Sequence, residues 1–410
     1  MSSPSVTHSS APPPPRAATR AIGRRPRMAR FLWVLLAFTT AGQVVPALAI
    51  TELAARAHVE RPWLFGAAAF VYGVGLFIGR ARARMADVPK PWWLLHVVDE
   101  PYFVHWCASL LATLLSIVVV LASPIVDLVR GDPVGFPWTG IAVVYVLALA
   151  ICAYGVVYRR RRFRIERVSI EVEDLPEAFD GYRVAHLSDL HIGALSPKRW
   201  GMRWSRAANR LDADLAVVTG DMVTSGTAFH ADIASVVGSL RARDGVVVSM
   251  GNHDYFGGDG EPLISMLREA GVRVVRNAGE LLERAGEKMY LAAIDDTWTR
   301  RDDLDAALRD RPDGVPTILL AHDPDEFRAA AKRGVDVVLS GHTHGGQIAV
   351  PFFARELNLS KLSHHHHLGI YRRGKSTLYV HPGLGTTGPP IRIGVAPAVV
   401  EITLRRAPTR

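Results

Sequence analysis

Four long apolar segments dominate the first 160 residues of the chain. Each segment lacks charged side chains over 17 to 24 residues, and only the third contains a histidine, His105. A helix needs roughly 20 apolar residues to cross a hydrocarbon core about 30 Å thick. Four such segments in close succession predict an all-α membrane region of about four transmembrane helices rather than buried helices of a soluble domain. These helices are expected at about Phe31–Ile50, Trp63–Gly79, Phe103–Val126 and Trp138–Tyr158.

The pattern changes after Arg164, where short apolar runs alternate with segments of helical periodicity. Alternation of this kind predicts an α/β fold. The expected strands are Tyr182–Leu187, Leu215–Thr219, Gly245–Met250, Thr317–Ala321 and Val335–Ser340, with later strands at Leu378–Val380 and Val399–Leu404. The expected helices are Pro197–Leu211, Ala228–Ala242, Pro262–Ala270, Arg301–Leu308 and Asp325–Lys332.

Basic residues lie on alternate sides of the apolar segments. Arginine and lysine cluster before the first segment, after the second and after the fourth, whereas the other two connections hold three arginines in total. Positive charge favours the cytoplasmic side, so both termini and everything after residue 164 are predicted to be cytoplasmic. The chain is then a multi-pass protein of the inner (plasma) membrane, with a disordered basic tail at 1–30 and a basic linker at 159–167.

One alternative for the first segment keeps the same orientation. Arg24-Arg25, followed by an apolar stretch and Ala47-Leu48-Ala49, also resembles a twin-arginine export signal with a cleavage site. Cleavage after Ala49 would leave three crossings that start outside the cell. The soluble part would still end in the cytoplasm.

Charge and cysteine content argue against several other classes of protein. Residues 1–164 hold 18 Lys and Arg against 7 Asp and Glu, whereas residues 165–410 hold 30 against 32. The positive charge therefore belongs to the membrane region, and the soluble part has no basic field for binding nucleic acid. Cys107 and Cys152 lie in apolar segments without metal ligands at suitable spacing, so neither a disulfide framework nor a zinc finger is expected.

Side chains that can bind metal ions follow the predicted strands. Ligand sites in open α/β sheets lie beyond the carboxyl ends of the strands, so these side chains can converge on one crevice. Aspartate, neutral histidine and the asparagine carbonyl are ligands that divalent transition metals accept. Their number suits two ions, which at about 3.5–4 Å apart can clamp a phosphoryl group and supply a nucleophile. The residues are Asp189, His191, Asp221, Asn252, His253, Asp254, His322, His342 and His344.

The ordered blocks in which these residues stand resemble the calcineurin-like metallophosphoesterase superfamily. The blocks are Asp189-x-His191, Gly220-Asp221, Gly251-Asn252-His253-Asp254, His322 and Gly341-His342-x-His344. The resemblance covers residues 168–405 and implies a four-layer α/β/β/α sandwich. It implies that one ion is held by Asp189, His191, Asp221 and His344, and the other by Asp221, Asn252, His322 and His342. It also implies that His253 acts at the leaving group and that Asp254 orients His253.

Two further motifs place the chain within that superfamily. Gly383-Leu-Gly385-Thr-Thr-Gly388, followed by Pro390-Ile-Arg392, resembles bacterial membrane-associated or exported members of phosphodiesterase type. The protein Ser/Thr phosphatase branch fits less well, because its usual Asp and Arg-Gly are missing after Asp221 and its usual arginine before Gly-Asn-His is Met250. Arg392 is either a contact for substrate phosphate or a structural residue.

Several nearby residues keep two interpretations. His186 lines the pocket or is simply buried, and Asp323 either supports His322 or begins a helix. The run His364–His367 is a polar loop near the mouth of the site or an accessory contact for metal or phosphate. The segment Phe352–Tyr371 is predicted to be a substrate-specific insertion, since it lies just past His344.

The sequence as a whole predicts a membrane-anchored, dinuclear metal-dependent phosphoesterase that cleaves a phosphodiester by attack of a metal-activated water. The ions are two divalent metals, and Mn, Fe and Zn all suit these ligands. A phospholipid or lipid-linked substrate is suggested by the location alone. The alternatives are a phosphomonoesterase, including a protein phosphatase, and a non-catalytic metal-binding scaffold. A transporter or sensor with the enzyme as its output is a further alternative, although the apolar segments carry no charge for an ion pathway.

Overall fold

The computed structural model describes residues 25–82, 87–131, 137–258 and 260–407. Residues 1–24 of the predicted tail therefore lie outside the described residues. The N-terminal region has four helices, and π-helical turns precede the third and follow the fourth. The helices are α1 (Arg25–Arg56), α2 (Trp63–Arg82), α3 (Glu100–Arg130) and α4 (Trp138–Ala153), and the π-helical turns are Leu94–Asp99 and Tyr154–Tyr158.

Three helical stretches among the described residues are long and apolar enough to cross a membrane. They are Trp33–Arg56, Leu94–Arg130 and Trp138–Arg161, while Trp63–Gly79 forms a shorter apolar helix. The predicted apolar helices are therefore all present, with the second at the short end of the range for crossing a bilayer.

Polar side chains within the first apolar segment lie at contacts between helices. Thr39 and Gln43 are fully buried. The Trp106 indole donates a hydrogen bond to the Thr39 hydroxyl at 3.2 Å, and the Ser109 hydroxyl donates to Gln43 Oε1 at 3.3 Å. Interhelical hydrogen bonds of this kind satisfy groups that lipid tails cannot. The polar residues that interrupt the first apolar segment therefore connect α1 to α3 through hydrogen bonds.

The remainder of the described chain contains two six-stranded sheets. The first has the strand order β1-β12-β2-β3-β4-β5 and the second β10-β11-β9-β8-β7-β6. The strands are β1 (Arg164–Val172), β2 (Arg183–Leu187), β3 (Leu215–Thr219), β4 (Val246–Ser249), β5 (Arg273–Val274), β6 (Ala278–Arg284), β7 (Glu287–Ala293), β8 (Thr317–Leu320), β9 (Val337–Ser340), β10 (Gly369–Arg373), β11 (Ser376–Val380) and β12 (Ala398–Arg406). Most neighbours are parallel, with antiparallel pairs β2–β12, β6–β7 and β10–β11.

Both sheets are buried on both faces, which is why the inner strands are continuous apolar runs. Side chains such as Val217 and Leu339 form one core that both sheets share. The other face of the first sheet packs against three helices, and the other face of the second packs against two shorter ones. These helices are α5 (Lys198–Asn209), α6 (His230–Val237), α7 (Glu261–Glu269), α8 (Leu304–Ala307) and α9 (Phe327–Lys332).

All seven strands and five helices expected from the sequence are present, although α6 and α8 are shorter than expected. Five strands were not expected: β1, β5, β6, β7 and β10. The strand β1 begins at Arg164, inside the segment predicted to be a linker, and pairs in parallel with β12. From Arg167 onward its polar and apolar residues alternate, because it is an edge strand with an exposed face.

The membrane region and the two-sheet region are in direct contact. Ile391, with Ile348 and Ile393 beside it, joins the apolar cluster of α1, α3 and α4. At the same junction the buried guanidinium of Arg160 pairs with the buried carboxylate of Glu100 at 2.7 Å. A buried pair of this kind costs stability if either partner is removed, so it fixes the end of α4 to the start of α3.

Candidate metal centre

The predicted site residues lie in the loops that follow β2, β3, β4, β8 and β9, at one edge of the two sheets. Five of them adopt left-handed backbone conformations, with φ between 42° and 70°. Such conformations cost roughly 1 kcal/mol or more each in non-glycine residues and cluster at functional sites. The five residues are Asp189, His191, Asp221, His342 and His344.

The first group of possible ligands consists of Asp189, His191 and His344. Their ligand atoms all lie within 4.8 Å of one another, and the three side chains are buried. His191 Nε2 lies 3.0 Å from His344 Nε2, which lies 3.4 Å from Asp189 Oδ1. Asp221 Oδ2 lies 3.6 Å from His191 Nε2 and completes the group.

The second group consists of Asp221, His322 and His342. His322 Nε2 lies 3.3 Å from Asp221 Oδ2 and 3.2 Å from His342 Nδ1. The same carboxylate oxygen of Asp221 therefore faces both groups. A further grouping within ligand distance joins His253 to His191 and Asp221.

Asn252 provides an independent sign that the second group fits a cation. Its side-chain oxygen Oδ1 is buried and has no hydrogen-bond partner among the described residues. The residues on either side contact Asp221: the His253 amide donates to Asp221 Oδ1 at 2.9 Å, and Gly251 packs against the same oxygen. A buried polar atom without a partner is costly, and a metal ion would satisfy this one.

The protonation states of the first group suit metal binding. Burial, together with nearby His253, lowers the pKa of His191 to about 3. Burial, with His191 and Arg392 close by, holds the pKa of His344 well below its usual range. Both imidazoles are therefore neutral at neutral pH, which is the form that coordinates metals.

Histidine rings at the site are oriented by groups behind them. His322 Nδ1 bonds to the Thr219 carbonyl at 2.7 Å, which leaves Nε2 facing Asp221. Arg392 is fully buried and donates to the carbonyls of Gly385 at 2.6 Å and Pro382 at 2.8 Å. Its Nη2 atom lies 3.2 Å from His344 Nδ1. Of the two interpretations of Arg392, the structural one therefore fits, because no part of its guanidinium reaches the surface.

Asp254 has a different role from the one that the resemblance implied. Its carboxylate accepts hydrogen bonds from four backbone amides, so it holds the loop of Asp221 rather than the ring of His253. The amides are those of Gly251 at 2.9 Å, Asp221 at 3.0 Å, Met222 at 2.8 Å and Val223 at 3.2 Å. The His253 ring is held instead through Nδ1 by the Thr224 carbonyl at 2.6 Å, and its Nε2 lies 3.3 Å from the Thr387 hydroxyl.

The remaining residues with two interpretations lie around the site. His186 is fully buried and bonds to the Thr219 hydroxyl at 2.8 Å, so it does not line a pocket. Asp323 accepts the Asp325 amide at the start of a helical turn. In the histidine run, the His364 ring lies 5.3 Å from the His342 ring. The first residue of the run therefore lies beside His342, whereas the His366 ring packs against Phe327 and Tyr371.

Asp87, in the connection between α2 and α3, contacts two of the site loops. Its carboxylate accepts the Ala194 amide at 3.1 Å, and its own amide donates to the Ser225 hydroxyl at 3.1 Å. Next to Ser225, the Thr224 hydroxyl donates to the His191 carbonyl at 2.9 Å, and the Thr224 carbonyl holds His253. The sequence did not identify Asp87, because its contacts with Ala194 and Ser225 each span more than 100 positions of the chain.

Replacing Asp87 by alanine is expected to lower kcat by about 10-fold, because loss of a group that supports ligand loops typically costs 10- to 100-fold. The turnover of the full-length protein would be measured beside Glu60→Ala, a matched change at an exposed acid in the connection between α1 and α2. Equal turnover in the two variants would show that Asp87 does not position the site.

Comparisons with known proteins agree with this arrangement. The family model for calcineurin-like phosphoesterases matches residues 182–346. A zebrafish transmembrane protein with a metallophosphoesterase domain is 32% identical over 285 residues, which are 66% of this chain and 64% of the zebrafish protein. The Bacillus subtilis metallophosphoesterase YkuE is 30% identical, covering 56% of this chain and 82% of YkuE. A metallophosphoesterase of Aquifex aeolicus is 33% identical, covering 59% and 92%. This chain thus spans less than two thirds of the zebrafish protein.

Proposed function

Because this chain belongs to the calcineurin-like phosphoesterase family, whose members are metal-dependent, we propose that it is a membrane-anchored hydrolase with a two-metal site that cleaves a phosphodiester. The observation that carries the proposal is the position of Asp221 Oδ2, which lies 3.6 Å from His191 Nε2 and 3.3 Å from His322 Nε2. One carboxylate oxygen between two groups of possible metal ligands suits a bridge between two cations.

Each ligand group would hold one of the two ions. Asp189, His191 and His344 would hold one, and Asn252, His322 and His342 the other, with Asp221 shared. When bound, the ions would neutralise phosphoryl charge and activate a water molecule. Asp254 and Arg392 keep the ligand loops in place, because the Asp254 carboxylate accepts hydrogen bonds from backbone amides and the Arg392 guanidinium donates them to backbone carbonyls.

His253 is the residue that we assign to the leaving group. Its Nδ1 is occupied by the Thr224 carbonyl, so Nε2 carries the remaining hydrogen-bonding capacity of the ring. A positioned imidazole can transfer a proton to a departing oxygen with a gain of roughly 10²–10⁴. A scaffold that only bound metal would not need this residue.

The membrane assignment rests on three long apolar helices and one shorter one. We propose that all four cross the plasma membrane and that the two-sheet region is a four-layer sandwich in the cytoplasm, as the distribution of basic residues favours. The contacts of Ile391 and Arg160 with the helices support this proposal, because they lie at the start of α3 and the end of α4, which would then be the cytoplasmic ends. A lipid-linked diester is the substrate that this location favours.

The full-length protein in detergent or nanodiscs provides the test. After treatment with a chelator it is expected to lose hydrolysis of bis(p-nitrophenyl) phosphate and to regain it with Mn²⁺, Fe²⁺ or Zn²⁺, since the proposed ligands are of types that bind these metals. Turnover of p-nitrophenyl phosphate is expected to be lower under the same conditions. A preference for the monoester would replace the diesterase proposal, and hydrolysis that survives complete removal of metal would contradict the mechanism.

A further inference from the structure

A loop close to the metal ligands exposes an unusual number of large apolar side chains. Phe352 is 99% exposed and Leu362 is 87% exposed. Contiguous exposed apolar surface of this kind usually marks an interaction site. We call residues Val350–Leu362 the apolar loop, and its exposed apolar residues are Val350, Phe352, Phe353, Leu357, Leu359 and Leu362.

The base of the apolar loop adjoins the membrane region. Ile348, two residues before the loop, packs against the apolar cluster of α1, α3 and α4. The next residue, Ala349, donates its amide to the Ile393 carbonyl at 2.8 Å. Ile391 and Ile393 in turn lie against Gly155, just past the end of α4, where an added Cβ atom would be 2.8 Å from Ile391 Cγ1. The loop therefore leaves the two-sheet region beside the end of a helix proposed to cross the bilayer.

Side chains near this junction are typical of a membrane interface. Tyr154 and Tyr158, in the π-helical turn after α4, are each 50% exposed. Tyrosine is enriched where the bilayer meets water, because its ring is apolar and its hydroxyl is polar. The end of α4 thus marks the level of the interface, and the apolar loop starts next to it.

Charge on and beside the loop suits an anionic surface. Arg355 and Lys361 are exposed within it, and Arg372 and Arg373 are exposed on β10. Glu356 is the one acidic residue between positions 350 and 375. Basic residues near a membrane that contains anionic lipid contribute about 1 kcal/mol each. Apolar tips flanked by basic residues are the pattern expected for insertion into an anionic bilayer surface.

We infer that the apolar loop inserts its side chains into the surface of the same bilayer that the N-terminal helices cross. The loop contacts the segment that follows His344: the Leu359 amide donates to the Ile348 carbonyl at 3.3 Å, and Gly346 packs against the same amide. Insertion would hold the segment that carries His342 and His344 next to the lipid headgroups. The inference rests on the proposed crossing of the membrane by the N-terminal helices and does not depend on the proposed activity.

A fluorescent label on the loop tests the inference. In Phe352→Cys the new thiol would be labelled with an environment-sensitive dye, since the native Cys107 and Cys152 are buried. The full-length protein would be placed in nanodiscs of phosphatidylcholine and phosphatidylglycerol, with quenchers carried on the lipid tails. The control is Leu281→Cys, at a 42% exposed residue of β6 on the opposite edge of the second sheet from β10.

Quenching by the lipid-borne groups is expected to be at least about two-fold stronger at position 352 than at position 281, and quenching by aqueous iodide correspondingly weaker. A second reporter, Leu362→Cys, is expected to behave like position 352. Equal iodide quenching at all three positions would overturn the inference. Protection from iodide without quenching from the lipid would also overturn it, because a second copy or another protein would then cover the loop.

Discussion

Replacing Asp221 by asparagine is expected to lower turnover of an aryl phosphodiester by a factor on the order of 10³ or more, since losing even one preorganised electrostatic contact costs about 10²–10³. The carboxylate oxygen Oδ2 lies within 3.6 Å of ligand nitrogens in both groups. An amide oxygen in its place carries no charge and is a poor bridge between two cations. The substitution therefore weakens both ion sites at once.

Metal content distinguishes this explanation from a simple folding defect. Asp221→Asn is expected to hold fewer ions per chain than the parent protein by mass spectrometry, while its melting temperature in the presence of chelator stays close to that of the metal-free parent. Asp303→Asn, which changes an exposed carboxylate at the start of α8, serves as the matched control and should retain both ions and turnover. Full turnover in Asp221→Asn would contradict the two-metal mechanism, and unchanged metal content would contradict the bridging role.

The proposed ligands stand out in the sequence because they follow buried strands that are almost entirely apolar. The strands before Asp221 and His342 are apolar up to their last residues, Thr219 and Ser340, since both of their faces are covered. A polar residue that directly follows such a run stands at the sheet edge, where the chain leaves the core. His186 shows the limit of this reasoning, because it lies inside β2, where only the structure shows that its ring is buried beside Thr219.

The contacts that support the proposed ligands could not be predicted from the sequence, and the reason is the same for each of them. Arg392, Thr387 and Asp87 reach His344, His253 and the Ala194 loop across 48, 134 and 107 positions of the chain. Local patterns carry no information about which distant loops meet. The same holds for Asp254, whose neighbour in sequence is His253 but whose partners are backbone amides, three of them about 30 residues away.

Of the five strands missed from the sequence, β1, β5, β6 and β10 lie at the edges of their sheets, whereas β7 is a buried inner strand. In β6 the charged residues Glu280, Glu283 and Arg284 interrupt the apolar pattern, because the strand lies at the edge of its sheet. Strand β5 has two residues, too few for any periodicity. Central strands, which hold the site, are therefore easier to recognise from sequence than the edge strands that complete the sheets.

The second large effect is expected at His253. Replacing it by alanine should lower kcat for an aryl phosphodiester by about 10²-fold, and for an alkyl ester by about 10³-fold or more, within the range of general acid catalysis. An aryl oxide leaves readily without a proton, whereas an alkoxide does not, so a proton donor matters more for the alkyl ester. The Thr224 carbonyl occupies Nδ1, so the proposed proton transfer would use Nε2, which lies 3.3 Å from the Thr387 hydroxyl.

Metal analysis separates this role from ligation. His253 lies within ligand distance of His191 and Asp221, so a lost ion could also lower activity. If His253 donates a proton, His253→Ala keeps the metal content of the parent and loses more activity on the alkyl ester than on the aryl ester. His365→Ala, which removes an exposed imidazole from the histidine run, is the matched control and should keep parental rates on both esters. An equal loss of activity on both esters together with a missing ion would show instead that His253 binds the metal. A metal ligand is needed with either leaving group, whereas a proton donor matters more for the alkoxide.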